Sequence, residues 1–286
     1  MLLLNTLISK ISLESDYARR IKYRHAKFWQ DPQAENIRNT ALSVHDPLCA
    51  WRDGENWQRK LSNKFNSREF AKIHDCKVPD LYWRGRNIAA IDFDMLPENY
   101  VIRPTIGHSC QSVFVMKKGV NLFDQKRYEP EGLKDFLRKR LAENHRLEFL
   151  IEEFLTNEAG ENEILKDYKI FTFRGHVAAI LMIDRLSPKT GFQSCYTENW
   201  EPIAPLVVSY PQGAFETAPA CLTEMISDAK KLSRTYEIFT RIDFYATAGG
   251  AVFGEFSPTP LIGNGSTPFA SRLFKAYWDK YCYQMI

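Results

Sequence analysis

Between Thr240 and Gly265 the chain reads TRIDFYATAGGAVFGEFSPTPLIGNG, which places one arginine and two carboxylates at strand spacing. Side chains alternate across an extended strand. Arg241, Asp243 and Tyr245 therefore share one side, Ile242 and Phe244 the other, and Phe253, Glu255 and Ser257 share a side in the next strand. A three-residue turn over Ala248, Gly249 and Gly250 sets Asp243 opposite Glu255 and Arg241 opposite Ser257. Facing carboxylates repel, so a cation, an arginine or a shared proton must hold them. Magnesium meets that need, since it takes hard oxygens from one or two carboxylates and completes its shell with water and phosphate. Arg241 beside it would stabilise a phosphoryl group in transfer. The alternative from this segment alone is an exposed hairpin with an ordinary salt bridge between Arg241 and one acid.

Regular elements must carry this hairpin. LSNKFNSREFAKIHDC has Leu61, Phe65 and Phe70 at helical spacing with an apolar turn at Ala71 and Ile73, and Val78-Pro79 ends it. YVIRP and VFVMKKG read as strands around the small-polar turn TIGHSCQS. EPEGLKDFLRKRLAENH opens on proline and spaces Leu133, Phe136, Leu137 and Leu141 as a helix. RLEFLIEEFL is a largely buried strand ending in acids, DYKIFTFRGHVAAILMIDR reads as two strands around Arg174-Gly175, and LTEMISDAKKLS is a helix.

The chain has 286 residues, enough for one sizeable α/β unit or two to three lobes sharing an interface. Apolar residues at 44% against 26% charged argue against extended disorder, and a formal charge of +3 is too small to imply nucleic acid. The basic run Arg19, Arg20, Lys22, Arg24, His25 and Lys27 reads as a solvated helix face, with contact to a membrane surface or a partner as the other reading. Six cysteines at no metal-ligand spacing point to reduced thiols in a cytoplasm. MLLLNTLISKISLES lacks the basic start and small-residue cleavage site of a signal, so an amphipathic helix is expected there. No run reaches the length of a spanning helix, so any membrane association, at the inner face, would be peripheral.

In order, these pieces resemble the ATP-grasp superfamily over roughly residues 61 to 265. Asn63, Lys64 and Arg68 resemble its Asp-Lys and second basic residue, and Arg103-Pro104 with Gly107, His108 and Ser109 its lysine-proline and small-residue loop. Ile151-Glu152-Glu153-Phe154-Leu155 looks like its adenine hinge, and Arg241-x-Asp243 with Glu255-x-Ser257 its metal cluster. DYK at 167 to 169, Asp184-Arg185, Trp200 and R-x-D-F-Y followed by F-G-E-F-S-P-T-P resemble the teichuronopeptide-synthesis-like branch. The resemblance implies an α+β fold whose two lobes clamp ATP, divided as a mostly helical segment 1–60, an N-lobe and lid 61–150, and a core with the metal site 151–286. It implies ATP and Mg2+ as cofactors. The implied reaction joins a carboxylate, on a sugar acid or amino acid, to an amine in bacterial cell-surface polysaccharide synthesis. Four positions depart from the pattern: Asn63 for aspartate, Arg103 for lysine, Ser257 for asparagine, and Cys110 where a second loop glycine is usual.

Each part has a physical reading. Lys64 and Arg103, from two elements, would neutralise a triphosphate from two directions, and the turn holding Ser109 would close on phosphates through backbone N–H groups. Glu152, Glu153, Phe154 and Leu155 offer backbone to an adenine edge and apolar surface to its ring. Asp167 and Lys169 share a strand face and suit a ribose hydroxyl and a phosphate, a surface ion pair being the other reading. Asp184-Arg185 follows the run AAILMI, where a buried strand surfaces, which nominates Arg185 for a substrate carboxylate or the acyl phosphate. Arg68, Asp184, Gly263 and Asn264 complete the expected substrate set. A kinase leaving phosphate on a hydroxyl, or a non-catalytic nucleotide-binding module serving a glycosyltransferase partner, are the rival readings; a stable phosphoester formed without amine marks the first, tight ATP binding without turnover the second.

Overall fold

The computed structural model describes residues 14–107 and 110–285, so most of the expected N-terminal amphipathic helix, together with His108 and Ser109, lies outside the described residues. Five helical elements lead into the first sheet. Helix α1 is Asp16–Trp29 and α2 is Ala34–Asn39, followed by a helical turn at Leu48–Trp51, a 3-10 stretch at Trp57–Ser62 and α3 at Lys64–Ile73. The Asn63 Oδ1 accepts the Phe65 N–H at 3.0 Å, so the asparagine caps α3 and sets Lys64 in its first turn.

The first sheet contains β1 (Leu81–Gly85), β2 (Asn99–Pro104), β3 (Phe114–Lys117), β4 (Val120–Asn121), β5 (Lys126–Arg127) and β6 (Phe149–Glu153), ordered β1-β6-β2-β3-β4-β5. Helix α4 (Pro130–Glu143) starts on proline, whose missing N–H costs nothing in a first turn, and buries Leu133 and Leu137 in a core with Ile102, Phe114, Phe149 and Ile151.

The second sheet contains β7 (Asp167–Phe173), β8 (His176–Arg185), β9 (Gly191–Tyr196), β10 (Pro202–Ile203), β11 (Phe239–Thr247) and β12 (Gly250–Ser257), ordered β10-β9-β8-β7-β11-β12. Helices α5 (Leu222–Tyr236) and α6 (Pro268–Tyr281) pack on it, and α1 packs on α6. Strand β7 is buried along its whole length, because both of its neighbours, β8 and β11, are long. The larger core surrounds this sheet and includes Tyr17, Ile21, Trp51, Trp57 and Phe70, so the N-terminal helices and α3 pack with the C-terminal half of the chain.

Two details of the late hairpin differ from expectation. Thr247 pairs with Gly250, so the turn is the two residues Ala248-Gly249, not three. The register of Asp243 on Glu255 and Arg241 on Ser257 is nonetheless present, because a bulge at Gly254 shifts the ladder by one residue. The bulge also turns Phe253 to the Phe244 side, where the two rings meet edge to face, so Phe253 does not share a face with Glu255.

Candidate functional site

One face of the second sheet opposes the first sheet across a cavity of about 560 Å³, within the range of small-molecule sites. Strand alternation supplies its floor: Asp167, Lys169 and Phe171 from β7, Leu181, Ile183 and Arg185 from β8, and Arg241, Asp243 and Tyr245 from β11. The first sheet adds Val101 and Arg103 from β2, and Glu152, Glu153, Phe154 and Leu155 as β6 runs out. No described residue hydrogen-bonds the backbone of Phe154 or Leu155, whereas the Glu153 N–H is already given to the Asp80 carbonyl at 2.9 Å.

Charges alternate along the polar end. Arg185 is bound to Asp167, and Lys169 lies 3.5 Å from Asp167 and 2.6 Å from Asp243. Arg241 donates to Asp243 through Nε at 2.6 Å and Nη2 at 2.7 Å, and stands 3.7 Å from Glu255. Lys64 Nζ ends the chain 3.3 Å from Glu255. Four cations thus interleave with three acids. The repulsion expected between facing carboxylates is relieved by Lys169, Arg241 and Lys64, not by a shared proton: burial would push the Asp243 carboxyl up, but Arg241 and Lys169 outweigh it and hold it below the usual range. The Arg241 guanidinium is correspondingly raised against the cost of its burial by Asp243 and then Glu255.

Arg103 is buried and forked onto Glu152, with Nη1 3.4 Å from the Gly254 carbonyl. Burial disfavours its charge, but Glu152 more than compensates and its pKa is raised. Its charge is therefore already matched in part, unlike the free phosphate contact expected of it. The Lys64 N–H donates to Thr105 O at 2.7 Å and its Nζ to Gly107 O at 3.3 Å, so α3 is tied to the turn that follows β2.

Several expected site residues lie elsewhere. Arg68 is buried on Pro79 O at 2.7 Å and beside Glu152 at 3.4 Å, and does not line the cavity, because α3 turns it inward. Asp184 alternates to the opposite side of β8 from Ile183 and Arg185. Gly263, with φ +76°, is placed where a Cβ would stand 2.7 Å from Ala18 O; it permits α1 to approach and does not line the cavity, whereas Asn264 does. Ser257 also lies off the cavity wall and accepts Arg241 Nη2 at 2.8 Å. Ser109 lies outside the described residues. Among the described residues no three histidines, cysteines or acids converge as a metal cage.

Other residues lining the cavity include Tyr245, Tyr210 and Lys189. Tyr245 was legible from its alternation with Asp243. Burial, then the neighbouring Asp167, keeps its hydroxyl strongly protonated, a neutral donor among charges. Tyr210 and Lys189 sit in loops with no periodic signal. The basic run of α1 is largely neutralised: Arg19 pairs with Asp16, Arg20 with Asp279, Lys22 with Glu14 and Lys27 with Glu55, while Arg24 is buried.

The family model described as TupA-like ATPgrasp matches residues 50–277. Among solved structures, D-alanine–D-alanine ligase from Bacillus anthracis is 15% identical, covering 79% of this chain and 69% of that one with a TM-score of 0.52. Its complex with ATP gives 14%, 79%, 64% and 0.49, and ATP-grasp ligase PsnB complexed with minimal precursor gives 13%, 78%, 62% and 0.45. This chain thus spans less than two thirds of the length of the latter two. No curated protein matches the sequence.

Proposed function

The chain belongs to the TupA-like ATP-grasp family and has its α+β fold, and from that premise we propose that it is an ATP-dependent ligase joining a carboxylate to an amine through an acyl phosphate. The observation that carries the reading is the chain of alternating charges from Arg185 to Lys64 along a cavity whose lining also includes the apolar strand end Phe154-Leu155. An apolar recess suits an adenine ring, and interleaved cations suit phosphate oxygens.

Magnesium fits the donor set. Asp243 and Glu255 face one another, Asp243 is held ionised, and three cations now stand on these two acids. Bound there, the metal would supply Lewis-acid stabilisation of phosphoryl oxygens. Asp243 and Glu255 would hold it, with Ser257 positioning Arg241 and not ligating. Lys64 and Lys169 would then contact phosphate, with Arg103 adding only the charge that Glu152 leaves unmatched, Arg241 would stabilise the group in transfer, and Arg185 would receive the substrate carboxylate. The cavity must exclude water, since an acyl phosphate hydrolyses readily.

The carboxylate partner in this proposal is a sugar acid or amino acid of bacterial cell-surface polysaccharide or capsule synthesis, with the first sheet and α4 acting as the lid over the nucleotide. A cytoplasmic setting at the inner membrane face, beside a glycosyltransferase partner, is consistent with a chain in which no described helix is long and apolar enough to cross a membrane. The test mixes the protein with ATP, magnesium and a panel of sugar acids and amines. Phosphate release should require both substrates, and Asp243→Asn and Glu255→Gln should each lower turnover by about a hundredfold. Undiminished turnover in both variants would sink the assignment, and a stable phosphoester formed without amine would make it a kinase.

A further inference from the structure

The turn joining β7 to β8 lies at the opposite end of the sheet from Arg185, roughly 30 Å away along the ten residues of β8 at about 3.3 Å each. Beside it is a second pocket, of about 380 Å³, lined by Arg174, His176, Arg234, Lys280 and Tyr281. The donors come from three elements: Arg174 and His176 from the turn and the start of β8, Arg234 from the last turn of α5 and Lys280 from the last turn of α6. Among the described residues none of Arg174, Arg234 and Lys280 forms an ion pair, and the nearby Glu198 is bound to Lys230.

Arg234 and Lys280 each face the negative end of a helix dipole, which accounts for their two charges. It does not account for the turn. Phe173 pairs with His176, and Arg174 and Gly175 have φ of 49° and 89°, a type I′ turn whose first position favours asparagine, aspartate or glycine. An arginine there costs about 1 kcal/mol or more of backbone strain. A Cβ at Gly175 would run into the Arg234 stem, and the Gly175 N–H donates to Ser233 Oγ at 2.9 Å, so the turn is fastened to α5 with Arg234 lying over it. The His176 ring stacks on Tyr281 at 3.7 Å and 14°. Burial and then Lys280, Lys230 and Arg234 hold its imidazole below the usual value, the mark of a cluster short of negative charge.

We propose that this pocket binds a dianionic phosphoryl group, presented either as a free phosphate or monoester or as a phosphomonoester lipid headgroup. Donors converging from three directions match the three oxygens of a phosphoryl group, whereas a planar carboxylate is satisfied by one guanidinium fork. The site is separate from the nucleotide cavity and uses none of its residues.

The test titrates inorganic phosphate and glycerol 3-phosphate into the full-length protein and into the exposed-residue variant Arg174→Ala/Arg234→Ala by calorimetry at low salt. In parallel, both proteins are sedimented with phosphatidylcholine vesicles, with and without phosphatidic acid. The double variant should lose about tenfold or more in phosphate affinity, the scale of two charge-assisted hydrogen bonds, while ATP turnover is unchanged. Lys280→Glu should do the same. Sedimentation with phosphatidic acid vesicles that is lost in the variants identifies the lipid source; binding of the soluble esters alone identifies the free one. Phosphate isotherms identical in wild type and both variants, or no binding of any probe, overturn the proposal.

Discussion

Asp243 is the most heavily engaged carboxylate of the cavity, taking charged hydrogen bonds from Lys169 and twice from Arg241. Burial alone would raise its pKa, but these partners lower it below the reference value of 3.8. For a group held lower in the folded state, the stabilisation is fully present above the unfolded value and disappears as pH falls through the folded one. The melting temperature of wild type should therefore exceed that of Asp243→Asn at neutral pH, and the gap should close only below about pH 3.8; a gap constant down to pH 3 contradicts the pairing. Arg103 and Glu152 behave as a buried fork, so Arg103→Met or Glu152→Gln alone should cost about 3 to 5 kcal/mol in urea unfolding, and the double variant markedly less than the sum. Alternation within one strand was enough to read Arg241, Asp243 and Tyr245 as one face. The contact of Lys169 with Asp243 was not legible, because it depends on β7 lying beside β11, a pairing between segments more than seventy residues apart that no local spacing records.

At the scale of elements, the hairpin reached its expected register by an unexpected route, a shorter turn offset by a bulge. A bulge has little sequence signature beyond a glycine, and Gly254 supplies it: a Cβ there would lie 3.0 Å from Asp243 O and 3.2 Å from the Tyr245 ring. Its carbonyl is also what Arg103 Nη1 meets. Gly254→Ala should therefore cost roughly 1 to 3 kcal/mol and weaken activity more than it weakens folding, because the displaced backbone carries Asp243. Circular dichroism melts beside turnover assays separate the two effects. Gly263→Ala offers the contrasting case. Its φ of +76° and the contact with Ala18 O predict a comparable loss of stability, but the change acts on the docking of α1 and should leave the ratio of activity to folded protein unaltered. The strands YVIRP, VFVMKKG and RLEFLIEEFL and the helix after Glu129 were legible because their apolar spacing is regular. By contrast β9, β10 and α6 went unread: the first two are short and follow polar turns, and α6, although its buried Ala270, Phe274 and Trp278 recur every four residues, stands alone after the hairpin and its loop.

Across the whole molecule, two sheets with separate cores meet over a charged cavity, and contacts that join the halves include Lys64 N–H to Thr105 O, Lys64 Nζ to Gly107 O, Arg103 Nη1 to Gly254 O and Arg68 beside Glu152. A ligand bridging both sheets adds contacts to this seam, and linkage converts its affinity into stability. At a hundred times its dissociation constant, a nucleotide should stabilise the protein by about 2.7 kcal/mol. The charge chain gives this measurement a second dimension. With three cations already on Asp243 and Glu255, a nucleotide bound as proposed would by itself draw Lys64, Lys169 and Arg241 toward its phosphates and leave the two acids facing each other uncompensated. Magnesium held there as proposed would relieve that repulsion, so a non-hydrolysable ATP analogue should raise the melting temperature more with magnesium than without it. In Glu255→Gln the repulsion would be gone together with a proposed ligand. The analogue alone should then stabilise at least as well as it does in wild type, while the increment from magnesium should fall away. A magnesium increment equal in the two proteins would mean that Glu255 takes no part in holding the metal, and would move the divalent site off the hairpin altogether.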